Sequence, residues 1–170
     1  MSVHEHKQNN LVVRCMIVTI SDTRTEQNDK SGFLITELLE NAGHSVSRKE
    51  IIRDERPAIE EIMNAGCGDS EIDVIITNGG TGIAGRDVTI ETISPLFNKE
   101  ITGFGELFRM LSYQEDIGSA ALLSRAAAGV INHTAVFAIP GSSGAVKLAM
   151  NKLILPELSH VVNEITKDTR

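Results

Sequence analysis

The chain is poor in the residues that mark secreted and metal-framework proteins. Only two of its 170 residues are cysteines, Cys15 and Cys67, and its five histidines are scattered. Two unpatterned cysteines and no paired histidine spacing predict reduced thiols, without a disulfide or zinc framework. The sequence has no apolar run long enough to cross a bilayer and no signal-peptide pattern at its start, so we expect a cytoplasmic protein.

Positive charge is also scarce. Sixteen Lys and Arg residues stand against 23 Asp and Glu residues, which gives a formal net charge of −7. An acidic chain repels nucleic acid and anionic membranes, so we expect neither as a partner. A phosphate-bearing ligand would need local geometry or a divalent cation to hold it, because the field of the whole protein opposes its binding.

The length and the patterning predict one α/β domain at residues 11–170, preceded by a disordered polar tail at residues 1–10. Strands separated by helical patterns indicate a mostly parallel sheet covered on both faces. Asn132-His133 predicts a hairpin turn, Gly43 a left-handed helix cap, and Pro156 a bend or break in the last helix. Strands are predicted at residues 11–20, 45–52, 73–77, 126–131 and 134–139, and helices at 31–41, 57–65, 88–97, 104–113, 120–123 and 144–166.

The segment that says most about function follows the third predicted strand. An apolar run at residues 74–76 leads into Gly79, Gly80, Thr81 and Gly82, and a helix is predicted to begin near residue 88. A strand, a glycine turn and a helix N-terminus bring free backbone N–H groups to one point, where no side chain blocks a ligand. This arrangement is typical of a phosphate site, and a tight turn that merely needs glycine is the alternative.

Residues 80–85 also fit the G-x-G-x-x-G dinucleotide pattern. That fingerprint belongs in the first βα unit of a fold, and the first unit here has no glycine at its turn. The match is therefore interpreted as fortuitous, which weakens the hypothesis of a nicotinamide-dependent oxidoreductase. The phosphate-binding Gly-Lys-Ser/Thr pattern is absent as well.

Polar residues gather at the predicted carboxyl ends of four strands, which favours one shared crevice because ligands of open α/β sheets bind there. Each residue also has a structural alternative: Asp22 as a turn cap, Asp54 and Asp87 as helix N-caps, and residues 140–144 as a strand-to-helix turn. Two carboxylates beside a phosphate-binding turn predict Mg²⁺, which binds one or two carboxylates together with substrate phosphates. The four groups are Ser21 with Asp22, residues 53–55, Asn78 with the glycine turn, and residues 140–144.

The glycine turn and the residues that follow it resemble a known family. The series Gly-Gly-Thr-Gly at residues 79–82, then Arg86-Asp87 and Thr89, is similar to the motif of the molybdenum cofactor biosynthesis proteins of the MoaB/MogA family. Residues 103–106, 123–125 and 140–142 match further family blocks in family order, and look most like the MoaB branch. The resemblance runs from about Val13 to Leu158.

This resemblance implies a three-layer α/β/α fold with a C-terminal hairpin and long helix, assembled as a homotrimer or hexamer. It implies a molybdopterin adenylyltransferase, which joins AMP from Mg-ATP to the terminal phosphate of molybdopterin and releases pyrophosphate. Other molybdenum cofactor biosynthesis proteins are expected partners. A non-catalytic molybdopterin carrier and an oligomeric scaffold stay open as alternatives.

Residue by residue, the resemblance makes Asp54 and Asp87 the catalytic and metal-binding carboxylates. Such a transfer works through positioning and electrostatics, so no side-chain nucleophile is needed. Apolar residues Phe104, Phe108, Met110 and Leu111 add to the expectation of an oligomer. The implied ligand-binding residues are Ser21, Asp22, Gly79, Gly80, Thr81, Gly82, Arg86, Glu106, Ser124, Arg125, Gly141 and Ser142.

Overall fold

The computed structural model describes residues 11–169 and contains a six-stranded sheet. The strands lie in the order β2-β1-β3-β6-β5-β4; the first four are parallel, and β5 and β4 are antiparallel to their neighbours. The predicted α/β fold with its mostly parallel sheet and C-terminal hairpin is confirmed. The strands are β1 (Arg14–Ile20), β2 (Ser45–Ile52), β3 (Val74–Asn78), β4 (Lys99–Glu100), β5 (Ala127–Ile131) and β6 (Thr134–Ile139).

Helices cover both faces of this sheet and occur in the regions that the sequence patterns predict. Short 3₁₀ turns occur at Ser94–Leu96 and at Gly118–Leu123. A π-helical turn at Met150–Ile154 lies just before Pro156, and the chain stays helical through the proline, so the predicted bend or break takes the form of a change in helix type. The helices are α1 (Lys30–Asn41), α2 (Arg56–Cys67), α3 (Thr89–Ile93), α4 (Thr102–Glu115), α5 (Ser143–Ala149) and α6 (Leu155–Thr166). Within residues 11–169, no helix combines the length and the apolar character that a membrane span requires.

The central strands are buried on both faces, and this produces three layers. Along β1, Cys15 and Ile17 belong to a core cluster that includes side chains of α1, α4, α5 and α6. Met16 and Val18 belong to a second cluster on the other face, with side chains of α2 and α3. Alternate residues of one strand therefore serve opposite cores, as a continuous apolar run predicts.

The turns predicted from the sequence are present in the structure, whereas one short edge strand could not be predicted. Gly43 has a φ of +85° after α1, and Asn132 has a φ of 56° between β5 and β6, so the predicted cap and hairpin turn are confirmed. Strand β4 is absent from the prediction. Its two exposed residues, Lys99 and Glu100, are too few to show a strand period, and pairing with β5 defines them. The predicted tail at residues 1–10 lies outside the described residues.

The apolar surface predicted on α4 is wrong for two of its residues. Phe104 and Phe108 lie in the core of the chain itself, because their i, i+4 spacing puts both on the face toward the sheet. Leu111 packs against the same core, and Met110 is exposed. The apolar residues of this region that do reach the surface are Leu107, Met110, Tyr113, Ile117, Leu122 and Leu123.

A buried polar network ties α1 to the carboxyl ends of β1 and β3. The carboxylate of Asp29 is fully buried and accepts hydrogen bonds from Thr19 Oγ1 at 2.9 Å and from the Gly32 amide at 3.1 Å. Ser31 Oγ donates to Asn78 Oδ1 at 2.7 Å, and Asn78 Nδ2 donates to Thr19 Oγ1 at 3.1 Å. The start of α1 is thereby fixed against both strands that lead into the candidate site.

At the opposite edge of the sheet, Arg14 and Asp73 join the amino ends of β1 and β3. The Arg14 guanidinium donates to both Asp73 carboxylate oxygens, at 2.8 and 3.0 Å, and the Arg14 amide donates at 2.9 Å. Burial alone would raise the pKa of Asp73, but these hydrogen bonds and the Arg14 charge outweigh it and hold the pKa below its ordinary value.

Replacing this carboxylate makes stability less dependent on pH. We expect Asp73→Asn to lower the free energy of unfolding by about 1 kcal/mol at pH 7, since Arg14 is partly exposed and solvent screens the pair. The loss is present in full above about pH 4, the ordinary pKa of an unfolded Asp, and disappears as the pH falls through the lower folded value. Urea unfolding at several pH values measures it. Glu71→Gln, at an exposed partner of the same arginine, is the matched control, and an equal effect there would contradict the assignment.

Candidate functional site

The candidate site lies where the strand order of the sheet reverses. Strand β1 has β2 on one side and β3 on the other, so the loops that follow β1 and β3 diverge and leave a crevice. Asp22, after β1, accepts a hydrogen bond from the Asp54 amide at 3.2 Å and pairs with the guanidinium of Arg86. Three loops that are distant in sequence therefore meet at this crevice.

The first two glycines of the turn after β3 have backbone conformations that other residues rarely adopt. Gly79 has a φ of +99° and Gly80 a φ of +67°. A Cβ atom at Gly79 would lie 2.3 Å from the Ile20 carbonyl oxygen, and one at Gly80 would lie 2.2 Å from Thr89 Oγ1. Gly82 is different, because only the Asp87 carboxylate, 2.6 Å away, would oppose a Cβ atom there. Glycine is therefore required at 79 and 80 by the backbone and at 82 by a neighbour.

The backbone carbonyl groups of this turn accept hydrogen bonds, whereas most of its amide groups donate none. Each carbonyl from Gly79 to Gly82 accepts a hydrogen bond from Thr89 or Arg125. Within residues 11–169, the amides from Gly80 to Ile83 donate no hydrogen bond to the protein. Successive free amides at a turn form an anion-binding concavity. The bonds to carbonyls run from Thr89 Oγ1 to Gly79 (3.0 Å), from the Thr89 amide to Gly80 (3.1 Å), from Arg125 Nε to Thr81 (2.9 Å) and from Arg125 Nη2 to Gly82 (2.6 Å).

The sequence predicts that Arg125 binds a ligand. In the structure, its guanidinium N–H groups donate hydrogen bonds to other groups of the protein. Besides the two turn carbonyls, its guanidinium pairs with the carboxylate of Glu91 in α3. The hydrogen bond from Arg125 is the main reason that the pKa of Glu91 lies below its ordinary value. Glu91 is absent from the sequence prediction, because it is 34 residues from Arg125 and no local pattern connects the two. Arg125 thus shapes the glycine turn.

Asp54 lies directly against the glycine turn, with Oδ1 and Oδ2 at 2.9 and 3.1 Å from where a Cβ of Gly80 would stand. Its Oδ1 atom is buried and has no hydrogen-bond partner among the described residues. Burial raises the pKa of Asp54, the Val88 amide lowers it and the charge of Asp87 raises it, with a net rise. An unpartnered buried carboxylate oxygen is costly, and it marks a position where a ligand or cation would be favourable.

Asp87 holds the other side of the turn. Its Oδ2 atom accepts a hydrogen bond from the Ala84 amide at 2.9 Å. Neither Asp54 nor Asp87 caps a helix, since Glu55 precedes α2 and Val88 precedes α3 at the N-cap positions. The helix-cap alternative is therefore wrong for both carboxylates.

A pocket of about 320 Å³ opens beside the glycine turn. Its walls come from this turn, from the 3₁₀ turn after α4 and from the start of the loop after β6, and they combine backbone groups with apolar side chains. This volume is at the lower end of the range for small-molecule sites. The lining residues are Gly80, Thr81, Gly82, Asp87, Ile117, Ala120, Leu123, Ser124, Arg125, Pro140 and Gly141.

Six of the predicted ligand-binding residues do not line that pocket: Asp22 and Gly79, described above, and four more. Ser142 Oγ accepts from the Ala145 amide at 3.3 Å and caps α5, as the strand-to-helix alternative predicts. Ser21 Oγ accepts from two amides of its own loop, and Arg86 is largely exposed beside Asp22. Glu106 lines a separate small cavity on α4. Their ligand-binding roles stay predictions.

The two carboxylates suit a cation that arrives together with a phosphate. No group of three or more His, Cys, Asp or Glu side chains within residues 11–169 could hold a metal ion. Asp54 and Asp87 supply two carboxylates, and Mg²⁺ commonly takes its remaining ligands from water and substrate phosphates. The unpartnered Oδ1 atom of Asp54 fits such an ion.

Comparisons with known proteins identify the family of the chain. The family described as "Probable molybdopterin binding domain" matches residues 16–160. "Molybdenum cofactor biosynthesis protein B" of Bacillus subtilis (strain 168) is 64% identical over 169 residues, which covers 99% of each chain. The homologue of Bacillus cereus with the same name is 61% identical over 166 residues, which covers 97% of this chain and 98% of the relative.

Solved structures show the same fold. A crystal structure of "Molybdenum cofactor biosynthesis protein B" has a TM-score of 0.92 at 60% identity and covers 94% of this chain and 99% of that chain. The "tungsten cofactor synthesizing protein MoaB" of Pyrococcus furiosus has a TM-score of 0.82 at 38% identity, over 91% and 97% of the two chains. With its glycine turn, its pocket and these likenesses, the chain belongs to the probable molybdopterin binding domain family.

Proposed function

We propose that this chain acts in molybdenum cofactor biosynthesis, where it binds molybdopterin and transfers AMP from Mg-ATP to its terminal phosphate. The family and the names of the relatives support the pathway and the pterin. The observation that carries the transfer step is the buried, unpartnered Oδ1 atom of Asp54 beside the free amides of the glycine turn. Burying a carboxylate oxygen without a partner costs free energy. Pterin binding alone does not require such a group, whereas an adenylyl-transfer site needs a carboxylate to hold a cation.

The pterin occupies the 320 Å³ pocket, and its terminal phosphate lies against the amides from Gly80 to Ile83. Arg125 and Thr89 hold the turn carbonyls, so the amides face the phosphate without any rearrangement on binding. Preorganised donors of this kind orient the attacking oxygen and limit its motion.

In the transfer, a phosphate oxygen of molybdopterin attacks the α-phosphorus of ATP. The bond from that phosphorus to the bridging oxygen breaks, and the electron pair leaves with pyrophosphate. No proton has to move, so the protein needs neither a nucleophile nor a general base. Mg²⁺ held by Asp54 and Asp87 would neutralise charge on the reacting phosphates. The protein itself positions the two reactants and excludes other arrangements. The cytoplasmic location and further partners in the pathway stay predictions from the sequence.

We also propose that the protein is a homotrimer or a hexamer. Leu107, Met110 and Tyr113 of α4 are exposed, and Leu122 in the 3₁₀ turn after it is 85% exposed. Met110, Tyr113 and Leu122 also line one groove of about 380 Å³. Exposed apolar residues that form a continuous patch are typical of an interface.

The carboxylates provide the first test of the transfer reaction. We expect Asp87→Asn to lower kcat for pyrophosphate release by about 100-fold or more while molybdopterin affinity stays near wild type, because charge neutralisation matters most in the transition state. The asparagine oxygen can still accept from the Ala84 amide, so the loop is retained. Asp168→Asn, an exposed acid at the far end of the chain, is the control. A wild type that binds pterin without transfer would establish the carrier function, and an active Asp87→Asn would remove the metal assignment.

Two glycines of the same loop form a matched pair for the second test. A methyl group at Gly82 would meet Asp87 Oδ2 at 2.6 Å, whereas nothing lies within 4 Å of one at Gly85. We expect Gly82→Ala to weaken molybdopterin binding and transfer by about 10-fold or more, since the carboxylate or the turn must move. Gly82→Val should abolish binding, and Gly85→Ala should behave as wild type. Calorimetric titration with molybdopterin measures the affinities, and equal values for the three variants would refute this account of the turn.

Sedimentation provides the test of assembly. We expect wild type at micromolar concentration to sediment as a trimer or hexamer, and Leu122→Asp to shift it toward monomer, because a buried charge at an apolar interface is costly. Val12→Asp, at an exposed apolar residue near the start of the domain, is the control. A monomeric wild type would overturn this proposal.

A further inference from the structure

A second cavity, of about 570 Å³, opens at the same edge of the sheet. Its walls include Arg24 from the loop after β1, Phe33 from the first turn of α1, and Lys49 and Ile51 from β2. We call it the Lys49 cavity. It is larger than the pocket beside the glycine turn, and the pterin site described above does not use it.

Two chain segments connect the Lys49 cavity with the loop that carries Asp54. The loop after β1 carries Asp22, which accepts from the Asp54 amide, and two residues later Arg24, which lines the cavity. The Ser21 amide donates to the Ile52 carbonyl at 2.9 Å and fixes this loop to the end of β2. The cavity and the Asp54 carboxylate therefore share both of these segments.

The Lys49 side chain is held in position by a buried carboxylate and an aromatic ring. Its Nζ atom lies 3.7 Å from Asp29 Oδ2 and 3.9 Å from the centre of the Phe33 ring. Asp29 is fully buried and accepts hydrogen bonds from Thr19 and Gly32, and it pairs with Lys49 by charge at a distance longer than a hydrogen bond. The ammonium group makes no hydrogen bond within the described residues. It keeps donors for a ligand at a position that a flexible surface lysine would not hold.

Arg24 places a second cation at this cavity. Its Nη1 atom donates to the Asn28 carbonyl at 3.2 Å, and the rest of the guanidinium bonds to no other described residue. The wall also carries two acids: Glu50 pairs with Arg48 outside the cavity, and Glu26 is exposed to solvent, where water screens its charge. In a chain of net charge −7, two cations with spare donors next to a carboxylate site favour a polyanion.

We propose that the Lys49 cavity binds the β- and γ-phosphates of a nucleoside triphosphate and holds pyrophosphate until it leaves. This inference rests on the proposed adenylyl transfer and names the subsite for its leaving group. The attacking phosphate comes from the glycine turn, and the bond from the α-phosphorus to the bridging oxygen breaks. The electron pair and its charge pass to pyrophosphate, where Lys49 and Arg24 donate hydrogen bonds to it.

Direct titration tests the cavity without any need for transfer. Pyrophosphate, Mg-ATP and inorganic phosphate are titrated separately into the full chain by calorimetry, without molybdopterin. We expect pyrophosphate and Mg-ATP to bind wild type, with Kd values raised by about 10-fold or more in Arg24→Gln and in Lys49→Gln and largely restored in Lys49→Arg. Lys30→Gln removes an exposed charge at the start of α1, outside the cavity wall, and should change each Kd by less than about twofold. Molybdopterin affinity should stay unchanged in all four variants.

The outcomes separate this inference from the proposed function. If wild type transfers AMP while Arg24→Gln and Lys49→Gln keep the wild-type pyrophosphate Kd and the wild-type KM for ATP, the subsite is wrong and the function stands. If pyrophosphate binds through these two residues and no transfer occurs, the subsite stands and the function is wrong. No pyrophosphate binding to wild type overturns the subsite. Thermal melting controls for folding, and Arg24→Gln is informative even where Lys49→Gln destabilises the start of α1.

Discussion

The carboxylate of Asp29 is the constraint on which the site depends. It is fully buried, so its charge must be met by the protein, and Thr19, Gly32 and Lys49 meet it from three different elements. Through Thr19 the network continues to Asn78, the last residue of β3 before the glycine turn. Moving β1, β3 or α1 relative to the others would leave a buried charge or amide unsatisfied, which costs more than most single packing changes. The crevice therefore has a rigid floor.

In the glycine turn, the backbone carbonyls and the backbone amides differ in their hydrogen bonding. Arg125 and Thr89 supply donors to the carbonyls, and nothing in the described chain supplies acceptors to the amides. Cationic Arg125 also favours negative charge nearby, although Glu91 balances it. In an otherwise acidic protein, dipoles of this kind attract an anion at the turn without depending on the net charge.

The sequence predicts those parts of the molecule that local chemistry determines. The buried strands, the hairpin at Asn132 and the cap at Gly43 depend on side-chain type within a few residues, and each is confirmed. The Asp29 network and the contacts of Arg125 could not be predicted, because their partners are brought together only by the complete sheet. Arg125 and Thr81, for example, are 44 residues apart. The sequence predicts that Asp54 and Asp87 are functional carboxylates. Only the structure shows that the Oδ1 atom of Asp54 lacks a hydrogen-bond partner among the described residues, because that depends on how the loops fold together.

The 3₁₀ turn at Gly118–Leu123 contributes residues both to the pocket beside the glycine turn and to the groove on α4. Ala120 and Leu123 line the pocket beside the glycine turn, while Ser119 and Leu122 line the groove on the opposite side. Arg125 follows two residues after this turn ends. Whatever restricts the turn from one side also restricts it from the other, and thermodynamic linkage makes the effect reciprocal. If the proposed oligomer covers Leu122, the affinity for a small ligand and the affinity between subunits are coupled quantities, and each varies with the concentration of the other component.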